Sequence, residues 1–101
     1  MAQTLEALTL QQLKAQLAGL DGWHVNEAGH LVRVISNPNY KQGLAWVQAI
    51  GDWAEAHDHH PDVLLTWPTL TITFYTHTAN GVTEKDVEAA QAVNSLIPVE
   101  N

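Results

Sequence analysis

Apolar positions along the chain switch between two periods, and the switches mark its elements. Thr9 reads as a helix N-cap, with Gln12 three residues later completing a capping box. Leu10, Leu13, Leu17 and Leu20 then recur at helical spacing until Asp21-Gly22 ends the pattern. Residues 23–25 and 31–35 read as two short strands, joined by a hairpin turn at 26–29. Asn37-Pro38-Asn39 breaks the pattern again and offers Asn39 as the cap of a second helix, from Tyr40 to about His57. Residues 62–67 follow as a strand, and 69–76 form the clearest one. There Leu70, Ile72 and Phe74 alternate with Thr71, Thr73 and Tyr75, and His77 continues the Thr/Tyr face one step further. Asn80-Gly81 is a turn. Thr83 and Asp86 form a second capping box, opening a helix with Val87, Ala90, Val93 and Leu96 on one face.

The order helix-strand-strand-helix-strand-strand-helix predicts an α+β fold, a four-stranded antiparallel sheet with helices on one face. The length fits a single domain over residues 1–101, with a core from about 5 to 97. The second helix carries a surplus. Tyr40, Leu44, Trp46, Val47, Ile50, Trp53 and Ala54 cover roughly half its circumference, more than one sheet face needs. Trp46 and Trp53 are the expected excess. They would pack on a second subunit or fold over a sheet edge.

Composition narrows the function. Eleven acidic residues against four basic ones give a net charge of −7. The four, Lys14, Arg33, Lys41 and Lys85, are too scattered to neutralise phosphates, so neither nucleic acid nor an anionic membrane is an expected partner. There are no cysteines, which excludes disulfides and thiolate metal sites and fits a reducing cytoplasm. No apolar run approaches the roughly 20 residues that span a bilayer, and the N-terminus does not read as a signal peptide. A cytoplasmic location is the expectation.

The chemistry concentrates in Glu55-Ala56-His57-Asp58-His59-His60-Pro61, with His77 and Asp86 further on. Adjacent histidines before a proline form no metal-ligand ladder of the usual spacing. Neither serine stands in a nucleophile-elbow context, and the isolated glycines build no phosphate loop. Acid–base work remains. A dehydration needs one group to protonate the departing hydroxyl and another to take a proton from the neighbouring atom. Two or three imidazoles supply both roles near neutral pH, with carboxylates fixing tautomers. Taken singly the positions are ordinary: His24, His30 and His57 read as surface residues, Asp86 as a helix-capping carboxylate, and Pro61 as a helix stop.

Together, Glu55, His59-His60-Pro61, Trp67, His77 and Asp86 resemble the signature of the pterin-4a-carbinolamine dehydratases. Gly22-Trp23, Arg33, Thr76-His77 and the Gly81-to-Asp86 stretch are similar too, and the likeness covers roughly residues 5 to 97. The resemblance implies dehydration of a 4a-hydroxytetrahydropterin to the quinonoid dihydropterin, in tetrahydropterin recycling after an aromatic amino acid hydroxylase has turned over. It implies that His59 and His77 exchange protons with the substrate, that His60 orients the pterin, and that Asp86 supports the site. Glu55 would hold the histidines or the ring, and Trp67 would pack nearby. Asp58, Pro61 and Thr76 complete the implied substrate-binding set. No metal and no organic cofactor is implied. Homodimers or homotetramers are, joined by sheet edges and helices. Ile35, Asn37, Asn39, Tyr40, Val63 and Asn80 depart from the pattern. The alternative is a non-catalytic binding or assembly module with a protein partner, because dehydratase-like proteins also serve as transcriptional coactivators or assist rubisco assembly, in some cases beside carboxysome genes.

Overall fold

The computed structural model describes residues 6–99. The elements run α1 (Leu10–Leu17), β1 (Trp23–Val25), β2 (Leu31–Ser36), α2 (Tyr40–His57), β3 (Asp62–Leu65), β4 (Thr69–Phe74), a 3-10 turn (His77–Ala79) and α3 (Glu84–Leu96). The strands form one sheet in the order β1-β2-β4-β3, every neighbour antiparallel. This is the α+β arrangement that the alternation of periods predicts. No described helix is long and apolar enough to cross a membrane.

Register explains the layering. Trp23, Arg33, Ile72 and Val63 lie side by side across the four strands on one face. Because side chains alternate along a strand, Leu31, Ile35, Leu70 and Phe74 share that face. They form one hydrophobic cluster with Ile50 of α2 and Val87, Ala90 and Val93 of α3. His24, Val32, Thr73 and Asp62 line up in the same way on the opposite face.

Both capping boxes form. Thr9 accepts from the Gln12 N–H while the Gln12 side chain accepts from the Thr9 N–H, and Thr83 and Asp86 repeat the exchange at α3. Asn39 caps α2 by accepting from the Gln42 N–H at 2.8 Å.

Several boundaries differ from the sequence reading. Helix α1 stops at Leu17, before Leu20, because successive tight turns take over around the poor helix former Gly19. Leu20 is buried all the same. Strand β3 ends at Leu65, where Thr66 closes a turn onto Thr69, and β4 ends at Phe74. Leu96 is exposed and Ile97, just past the helix, takes the buried position. The largest correction concerns α2. Trp46 and Trp53 are half-buried against the core, and Trp53 meets Phe74 edge-on at 6.2 Å. The exposed apolar surface of α2 belongs to Tyr40 and Leu44, 45% and 49% exposed. Between them Gly43 lies so close to β3 that a Cβ there would stand 2.6 Å from the Leu65 Cδ1.

One buried cation ties the sheet to α3. Arg33, 4% exposed, donates to the Asn94 Oδ1 at 2.8 Å and to the Ile97 carbonyl at 2.7 Å. The Trp23 indole N–H donates to the same Asn94 oxygen, whose amide donates in turn to the Asp21 carbonyl. A guanidinium at the C-terminal end of α3 satisfies carbonyls that the helix leaves open and complements the helix dipole. Burial pushes the Arg33 pKa down from its ordinary value, yet an arginine remains protonated inside a protein. Replacing Arg33 with Met is expected to lower stability by about 1–3 kcal/mol, through buried acceptors left without donors. Urea denaturation of the variant checks this, and an unchanged midpoint would refute it.

Candidate active site

The end of α2 aims the histidine pair. Asp58 adopts a left-handed conformation, φ 51° and ψ 42°, which aspartate tolerates better than most residues. The His59 N–H returns to the Ala54 carbonyl at 3.2 Å and closes the helix end. This reversal points His59 inward and His60 outward, and Pro61 then leads into β3.

His59 rests against the core. Its ring stacks on Phe74 at 5.6 Å with 14° between the planes. Its Nε2 meets the Asp86 Oδ1 at 2.6 Å, and only 12% of the side chain is exposed. Asp86 has no exposed surface at all. Its other oxygen accepts from the Thr83 N–H at 2.8 Å and from the Thr76 hydroxyl at 2.8 Å, and the two threonine hydroxyls meet at 2.9 Å. An ionised carboxylate accepts only, and donors converge on both of its oxygens. With Nε2 turned to the carboxylate, neutral His59 carries its proton there and keeps the Nδ1 lone pair free.

His60 and His77 are looser. His60 Nε2 meets the Glu55 Oε2 at 2.5 Å, both side chains largely exposed. His77 opens the 3-10 turn after β4 and is exposed, its ring 4.2 Å from that of Tyr75.

The structure brings the three histidines to one cleft of about 370 Å³, lined by Asp58, His59, His60, Pro61 and Asp62 on one side and Tyr75, Thr76, His77 and Thr78 on the other. Asp86 stands behind His59 and Glu55 behind His60. Trp67 is elsewhere. It sits 78% exposed in the turn at the far end of the β3–β4 hairpin, about 16 Å along the strand from Asp62. A second cavity, about 220 Å³ between Arg33 and Trp46, contains none of the histidines. Among the described residues, no three His, Cys, Asp or Glu side chains are placed to share a metal ion.

Three cleft residues, Asp62, Tyr75 and Thr78, escape the sequence reading. The alternation along β4 carries the signal for Tyr75, since it places that ring on the outer face beside His77. Asp62 is its neighbour on that face through its pairing with Thr73. His24 and His57 are surface residues as expected. His30 is not: it is half-buried and stacks on Tyr75 at 3.8 Å, because the β2–β4 register brings the two together.

Residues 6–96 match the family model described as pterin 4 alpha carbinolamine dehydratase. The chain belongs to this family. A provisionally named pterin-4-alpha-carbinolamine dehydratase of Mycolicibacterium smegmatis is 38% identical over 93 residues, 92% of this chain and 98% of that one. A provisionally so named protein of Mycobacterium avium is 37% identical over the same shares. Among solved structures, the transcriptional coactivator/pterin dehydratase from Brucella melitensis superposes with a TM-score of 0.85 at 28% identity, covering 90% of this chain and 98% of that one. The Brucella melitensis protein thus shares this chain's layering.

The two histidine–carboxylate contacts differ in environment, and stability should report it. Asp86→Ala removes a helix cap, typically about 0.5–2 kcal/mol, and strands buried donors at about 1–3 kcal/mol each. His60→Ala breaks an exposed pair and should stay within about 0.5 kcal/mol of wild type. Parallel urea titrations measure both, and equal losses would contradict the geometry.

Proposed function

We propose that this chain dehydrates a 4a-hydroxytetrahydropterin to the quinonoid dihydropterin by histidine acid–base catalysis, in tetrahydropterin recycling. The observation that carries this reading is the His59–Asp86 contact at the back of a cleft that His60 and His77 also face. In the reaction the C4a–O bond breaks, the N5–H proton is lost, a C4a=N5 double bond forms and water leaves. His59, its tautomer set by Asp86, takes the N5 proton at Nδ1. His77, exposed at the mouth and in exchange with water, protonates the departing hydroxyl. His60, held by Glu55, orients the pterin, while Asp58, Pro61 and Thr76 shape the wall beside it. Positive charge develops across C4a and N5 as the hydroxyl leaves. The cleft answers it with Asp58 and Asp62 and lines itself with no lysine or arginine. Trp67 would reach a substrate only across an assembly, since its own cleft lies at the other end of the hairpin.

Self-association belongs to the same reading. Tyr40 and Leu44 on α2, with Val34 and Leu64 on the bare sheet face, are exposed apolar side chains, and β3 is an open edge strand. A homodimer or homotetramer is expected by light scattering at micromolar concentration. A monomer there would sink this part of the proposal. The same exposed surface supports the second reading, a binding or assembly module that takes a protein partner.

Kinetics separate enzyme from module. His59→Ala and His77→Ala should each slow dehydration by ~10²–10⁴-fold, the usual loss for a missing general acid or base. Because one group partly covers for the other, the double variant should be slower than either single one. A folded double variant that matches the wild-type rate would end the catalytic reading and favour the module.

A further inference from the structure

The ring that the proposed mechanism needs most at the cleft mouth is the one held least. Hydrogen bonds fix the rings of His57, His59 and His60. Among the described residues none fixes that of His77, which is exposed on a three-residue 3-10 turn. What confines it is the Tyr75 ring, 4.2 Å away and tilted by 50°. Tyr75 is confined in turn by His30, whose ring lies parallel to it within 3° at 3.8 Å. The sequence builds this ladder from a distance. Leu31 pairs with Phe74 in the β2–β4 register, so one residue beyond the strands His30 stands across from Tyr75. The β1–β2 hairpin then locks His30. The Asn26 side chain accepts from the His30 N–H at 2.9 Å, the Asn26 N–H donates to the His30 carbonyl at 2.9 Å, and Gly29 takes the positive φ that the turn requires.

We propose that His30 and Tyr75 are positioning residues for His77, a cross-strand ring pair that holds the proposed proton donor over the cleft. The inference rests on the dehydratase reading for its kinetic consequence, but not for its geometry. Tyr75 also lines the cleft, whereas His30 does not. His30 therefore reaches the reaction only through its neighbours, which makes it the cleaner probe. Stacked aromatic pairs across a sheet hold their geometry by packing and quadrupole complementarity, so another aromatic ring at position 30 should serve as well as histidine.

Two measurements test this. In the first, side-chain NMR follows the His77 ring signals, which the Tyr75 ring current displaces. Both His30→Ala and Tyr75→Ala should shift or broaden them, and His30→Phe should restore them. In the second, steady-state dehydration kinetics compare His30→Ala with wild type. The expected result is a roughly threefold to tenfold lower kcat, in the range of a small misplacement of a catalytic group, with KM little changed. His30→Phe should recover the rate, and in a His77→Ala background the His30→Ala change should cost nothing further. A His30 effect that persists without His77, or His77 signals indifferent to both alanine variants, would overturn the proposal. If the wild-type protein does not accelerate dehydration, it is the functional reading that fails, and the NMR comparison alone decides the ladder.

Discussion

A carboxylate with no exposed surface must be surrounded by donors or give up its charge, and Asp86 is surrounded. Thr83 belongs to the loop before α3, Thr76 to the segment after β4, and His59 to the segment after α2. One side chain thereby joins three parts of the fold that are separate in sequence. The order of dependence matters. The capping box fixes where α3 begins, the helix start fixes the carboxylate, and the carboxylate fixes which nitrogen of His59 carries the proton. A residue that serves the helix for structural reasons thus sets the protonation pattern of the ring beside the cleft.

Arg33 does at the other end of α3 what Asp86 does at its start. The helix is held at its N-terminus through a residue next to β4 and at its C-terminus through a residue of β2. Neither contact depends on a close partner of opposite charge on an exposed surface, where water and salt weaken attraction. Both use buried donors and acceptors whose loss leaves something unsatisfied. His60 and Glu55, a similar pair by chemistry, lie in solvent and lack that hold. The contrast fits a site with a rigid back wall and an adjustable rim.

Much of this was legible in the sequence, for physical reasons that differ by element. Strand β4 announced itself because its alternation is strict and its inner residues are all buried. The capping boxes were legible because the exchange between N-cap and N3 is local. The histidine cluster was legible because its members are close in sequence, with His77 and Asp86 supplied by the resemblance. What failed depended on non-local packing. The apolar count of α2 was right, but which side chains face the core depends on how the helix lies on the sheet, and Trp46 and Trp53 are half-buried against it while Tyr40 and Leu44 stay exposed. His30 looked like a surface residue because its partner, Tyr75, is distant in sequence and only register brings the two together. Trp67 carried no local sign of lying away from the cleft, since the turn at Thr66 that carries it to the far end is known only once β3 and β4 pair.

Gly43 has a role that its single hydrogen conceals. At that point α2 and β3 pass so closely that no other side chain fits without displacing Leu65. The contact therefore sets how closely the first turns of the helix lie on the edge strand. From Gly43 to the left-handed residue at Asp58 the backbone advances at about 1.5 Å per residue, some 22 Å in all. The helix whose far end carries His59 to Asp86 is thus seated on the sheet, at its start, by the absence of a side chain.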